Sequence, residues 1–101
     1  MPLVRIELPF HLCSLAGIAG REVHLELAPG CTIEELMDAL ETVYPMLRGT
    51  VRDHVTRERR AFLRFFACQQ DLSFEPADAT LPEAVLAGRE PFIILGAVAG
   101  G

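Results

Sequence analysis

The sequence predicts an α+β fold: a mixed sheet of four to five strands with one main helix packed on one face. Three observations predict it. Two early segments, residues 4–10 and 22–27, alternate apolar and polar side chains with the period of a half-buried strand. Residues 32–44 change to a helical period. Near the C-terminus, "PFIILGAV" is an unbroken apolar run of the kind found in a strand buried on more than one side.

In the first segment Val4, Ile6, Leu8 and Phe10 fall on one face and Arg5 and Glu7 on the other, with Pro9 marking the fraying end. The small-residue stretch "SLAGIAGR" is expected to be a loop. After it, Val23, Leu25 and Leu27 point inward and His24 and Glu26 outward, so the two strands form a hairpin. Pro29-Gly30 breaks the second strand. A helix then presents Ile33, Leu36, Met37, Leu40, Val43 and Tyr44 as one stripe. Thr32 and Glu35 have the T-x-x-E spacing of a capping box, and Pro45 stops the helix.

Residues 47–60 read as a short helix or irregular loop ending in a basic run. Arg57, Arg59 and Arg60 are taken as solvated surface rather than a phosphate site. From Phe62 a strand turns Leu63, Phe65 and Ala67 inward and Phe62, Arg64 and Phe66 outward; a Gln-Gln-Asp turn and a short strand follow. "ADATLPEAVLAGRE" supplies turn signals and one helical turn before the last strand. The order β-β-α-β-(β)-β, with the most apolar strand last and lying beside the first, is that of a β-grasp, the ubiquitin-like architecture. Residues 1–101 are expected to form a single domain with a flexible tail at 96–101.

Composition narrows the function. At 101 residues one core is expected, and no apolar stretch approaches the roughly 20 residues of a membrane span. "MPLVRIELPF" lacks the features of a secretory signal, so a cytoplasmic location is expected. A net charge of −5 argues against nucleic acid, and every one of the 9 basic residues is arginine. Cys13, Cys31 and Cys68 are odd in number and form no C-x-x-C pair, while His11 and Cys13 make a lone H-x-C; neither a disulfide framework nor a metal site is expected. No nucleophile–base set or phosphate-cradling glycine loop is present, so the chain is not expected to be an enzyme.

The last residues are "AVAGG". Glycine costs roughly 0.5 to 1 kcal/mol relative to alanine in a strand or helix, so a pair of them needs a reason outside the core. The hairpin, the helix entry "APGCTIEELMDAL", the stretches "RFFACQQDLSF" and "LPEAVLAGREPFIIL", and above all "AVAGG" resemble the sulfur-carrier proteins of the MoaD/ThiS family over nearly the whole chain. The long segment before Ala61 looks most like the CysO-type carriers of cysteine synthesis.

The resemblance implies that Gly101 bears the reacting carboxylate and Gly100 the slender approach to it. An E1-like adenylyltransferase, with ATP and Mg²⁺ of its own, would activate that carboxylate for conversion to a thiocarboxylate; a sulfur-accepting biosynthetic enzyme would then take the sulfur. No cofactor is expected on the chain itself. Two residues without Cβ can thread a narrow channel, and a chain without lysine cannot acylate its own side-chain amines. Outward aromatics on a sheet commonly mark a partner surface; Phe62, Arg64 and Phe66 are the candidates, with Val98 and Ala99 beside the glycines. The small subunit of a molybdopterin synthase, a ubiquitin-like modifier forming amide bonds to lysines, and a binding module with an inert tail are the alternatives. The chain has Cys68 where these carriers commonly have Asn, Gly88-Arg89 for Gly-Asp, and Gly96 for Pro.

Overall fold

The computed structural model describes residues 3–96. Strand β1 (Val4–Glu7) pairs antiparallel with β2 (Glu22–Leu25), setting Val4 opposite Leu25 and Ile6 opposite Val23, so the apolar side chains of both strands share one face. The link between them is more than a turn, because helix α1 occupies Phe10–Ala16. Pro9 has no N–H to continue the ladder, its extended backbone (φ −64°, ψ 153°) serves as the N-cap, and its carbonyl accepts from the amides of Leu12 and Cys13. Alternation therefore ends at Leu8, which is buried. Phe10, predicted inward, lies in the first turn of α1 and is exposed. Gly17, at φ 70°, takes the left-handed position that ends α1.

The main helix α2 runs over Ile33–Val43. Its capping box is formed: the Glu35 amide donates to Thr32 Oγ1 at 3.1 Å and the Thr32 amide donates to Glu35 Oε1 at 3.0 Å. Ile33, Leu36, Met37 and Leu40 are buried as the stripe predicts; Val43, predicted to join them, is exposed at the edge of the stripe, and Tyr44 packs at the core margin. A 3-10 turn at Pro45–Leu47 follows.

Residues 51–60 fold back as a small irregular hairpin. Arg52 bridges Arg59, the Arg57 amide donates to the Asp53 carbonyl, and the Asp53 carboxylate accepts from the amides of Val55 and Thr56. Strand β3 (Leu63–Ala67) turns sharply into β4 (Gln70–Asp71). The tight turn is Cys68-Gln69, one residue before the predicted Gln-Gln-Asp, with φ of 53° and 65° at its two central positions. Helix α3 (Glu83–Leu86) is the single turn expected, and β5 (Phe92–Gly96) ends the described chain. Gly96, expected to begin the tail, closes β5.

The strand order is β2-β1-β5-β3-β4. β5 lies between β1, to which it is parallel, and β3, to which it is antiparallel. Its Phe92 and Ile94 face α2 in the core, where the Phe92 ring meets that of Phe65 at 5.2 Å between centroids. Ile6, Leu36, Leu40 and Phe92 are completely enclosed, and each such side chain contributes about 1.5 to 3 kcal/mol relative to exposure.

Candidate functional site

The positions expected to carry the chemistry, Gly100 and Gly101, and their neighbours Val98 and Ala99, lie outside the described residues. The structure does describe the ground from which that segment departs. β1 pairs with β5 only at Ile6–Phe92 and Glu7–Ile93, because Pro9 then diverts the chain into α1. β5 continues through Ile94, Leu95 and Gly96, leaving a notch beside its last residues. An open groove of about 630 Å³ occupies the notch, lined by Pro9, Phe10 and His11 from α1, by Phe62 ahead of β3, and by Leu95 and Gly96. Phe10 is 76% exposed, Phe62 73% and Leu95 42%.

Gly96 lies close against α1. A Cβ there would sit 3.1 Å from His11 Cε1, so any side chain, proline's included, would press on the imidazole.

The predicted partner residues fall in two places. Phe62 lines the groove. Arg64 and Phe66 stand, half-buried, on the sheet face opposite α2, where Arg64 is opposite Leu95 and Phe66 opposite Ile93. Arg64 donates to Asp71 at 3.4 Å, and its guanidinium, like that of Arg59, lies over the exposed Phe74 ring. Phe10, Leu95 and Phe74 were missed from sequence. Phe10 was hidden by the strand alternation and Leu95 by the apolar run, while Phe74 follows β4 rather than lying in a strand.

The arginines of the basic run are engaged internally. Arg59 donates to the carbonyls of Ser73 (2.9 Å), Arg60 (3.0 Å) and Leu63 (2.6 Å), Arg60 donates to Gly49 O (2.8 Å), and Arg57 pairs with Asp38. A second cleft of about 450 Å³, between the start of α2, the 51–60 hairpin and residues 73–77, is lined by Arg52, whose pairing sequence reasoning missed. Buried Arg52 donates to both Glu41 oxygens (2.9 and 3.3 Å) and contacts Asp38. Burial alone would lower the Arg52 pKa; its hydrogen bonds to Glu41 and Asp38 outweigh that and hold the guanidinium above its usual range.

Cys13 and Cys31 are buried, and burial pushes both thiols up, away from the thiolate form that reacts. Among the described residues, no three His, Cys, Asp or Glu side chains converge as a metal set would, and no helix is long and apolar enough to cross a membrane.

No protein-family model matches the sequence, and no curated protein matches it. Solved structures do. SAMP1 from Haloferax volcanii superposes with a TM-score of 0.73 at 18% identity, over 96% of this chain and 97% of that one. A chain of the Amycolatopsis orientalis BexX/CysO complex gives 0.71 at 21% identity, over 96% and 98%. The HVO 2177 protein of Haloferax volcanii gives 0.66 at 17% identity, over 98% and 88%. At these identities what is shared is the fold, and the fold is the ubiquitin-like β-grasp.

Proposed function

We propose that this β-grasp protein is a ubiquitin-like sulfur carrier, a protein co-substrate rather than an enzyme, that works through the carboxylate of Gly101. The observation that carries the reading is the architecture at the end of the chain: the central strand β5, held on both sides, leads directly into Ala97-Val98-Ala99-Gly100-Gly101. A rigid body with a slender end suits a substrate whose reacting atom must be delivered into another protein's site. The fold shared with a chain of a BexX/CysO complex supports the same reading.

In the proposed cycle an E1-like adenylyltransferase binds ATP and Mg²⁺. A Gly101 carboxylate oxygen attacks the α-phosphorus, pyrophosphate leaves, and an acyl-adenylate forms. A sulfide-equivalent nucleophile then attacks the acyl carbon, the bond to the AMP oxygen breaks, and AMP departs with the bonding pair, leaving a thiocarboxylate for a sulfur-accepting enzyme of biosynthesis, cysteine synthesis being the first candidate. Phe62, Arg64 and Phe66, with Val98 and Ala99, contact these partners.

Intact-mass spectrometry of the protein from its native host tests this. The expected result is a C-terminal peptide heavier by the difference between one sulfur and one oxygen. Deleting Gly101, or adding one alanine after it, abolishes ATP–pyrophosphate exchange with the cognate enzyme without changing the melting temperature. Full exchange by the extended variant overturns the reading. The likeness to a protein named as an archaeal modifier favours one further reading, conjugation to lysines, which would appear instead as Gly-Gly remnants on tryptic peptides of other proteins.

A further inference from the structure

The groove beside Gly96 combines two properties. It gathers large apolar side chains that water would otherwise cover, Phe10, Phe62 and Leu95. It is also lined by Arg21, an exposed residue that forms no ion pair among the described residues, in contrast to Arg5, Arg52 and Arg57, each held by a carboxylate. On a chain of net charge −5, this is a cation set against an apolar surface.

We propose that the groove is the docking point for a loop of the activating enzyme that carries an aliphatic or aromatic side chain next to a carboxylate. The inference rests on the carrier reading and names the surface and chemistry by which its first partner recognises the chain. Reach supplies the geometric reason. Residues 97–101 span at most about 17 Å even when fully extended, and they start from a residue that itself lines the groove. An enzyme that holds Gly101 must therefore cover the surface around Gly96.

The apolar side chain of the loop displaces water from Phe10, Phe62 and Leu95, and its carboxylate pairs with Arg21. Elsewhere on this acidic protein that carboxylate is repelled, so the pair sets the orientation of docking more than its strength. The α1 turn thereby acquires a role: diverting β1 at Pro9 opens the notch, and Phe10 and His11 furnish one side of it.

The test is ATP–pyrophosphate exchange by the E1-like enzyme of the same organism, measured against concentration of the full chain. Phe10→Ser and Arg21→Glu are each expected to raise the half-saturating concentration at least tenfold while leaving the rate at saturation unchanged. The affinity of the parent should weaken with added salt more steeply than that of Arg21→Glu. Val55→Ser, which alters an equally exposed apolar residue on the 51–60 hairpin, is expected to behave as the parent. Hydrogen exchange on the unmodified chain reads the same surface without a substitution: amides of residues 10–13 and 94–96 should gain protection in the complex.

Unchanged concentration dependence in both groove variants, or equal weakening by Val55→Ser, overturns the docking site while the carrier reading stands. Absence of added protection at these amides in an active complex also overturns it. A parent chain that supports no exchange overturns both.

Discussion

Arg52 shows how much of the molecule rests on one side chain. It ties the 51–60 hairpin to α2 through Glu41, itself buried, and through Asp38, which also takes Arg57. Removing one member of a buried pair leaves the other charged and unpaired, typically at a cost of about 3 to 5 kcal/mol. Arg52→Ala is therefore expected to lower stability by about that amount in urea denaturation, and the double variant Arg52→Met/Glu41→Leu to recover much of it. A double variant no more stable than Arg52→Ala would show that packing of the arginine stem, not charge, is what matters. None of this was legible in "TVRDHV", where Arg52 resembles the surface arginines around it. Its partner is 11 residues away, across a helix end and a 3-10 turn, and no local spacing rule links them.

At the scale of elements, legibility followed length and period. α2 was readable down to its capping box because four buried positions and the T-x-x-E pair agree. The pairing of β1 with β2 and the central place of β5 were readable from alternation and from an apolar run. α1 was not, since its 7 residues give less than two full periods and Pro9 can end a strand or open a helix equally well. The β3–β4 turn was displaced by one residue for a related reason. Two-residue hairpins with both central φ positive favour Asn-Gly, and Cys68-Gln69 carries no such signature. The left-handed backbone costs roughly 1 to 2 kcal/mol per residue for ordinary side chains. The double variant Cys68→Asn/Gln69→Gly is thus expected to gain about 1 kcal/mol or more in chemical denaturation. No gain would mean that the strain is already relieved by contacts of the Cys68 side chain.

For the molecule as a whole, acid is the condition that tests its surface electrostatics. Hydrogen bonds from Arg5 and then His24 hold the Glu22 carboxyl below its usual range; the amides of Thr56 and Val55 do the same for Asp53, and Ser73 for Asp71. A carboxyl whose folded pKa is depressed contributes stability that is fully present above its unfolded pKa, about 4, and lost as pH falls through the folded value. Thermal scans should show the parent losing stability below about pH 4. Glu22→Gln, less stable at pH 7, should converge with the parent on acidification. A gap between them that persists in strong acid would assign the role of Glu22 to something other than charge. The central position of β5 has a mechanical consequence as well. A pull on its C-terminal end runs along the strand, and the hydrogen bonds to β1 and β3 cross that line, so the load falls on them together in shear rather than unzipping them singly. A pull on Gly96 along β5 is therefore resisted by both neighbouring strands before the sheet opens.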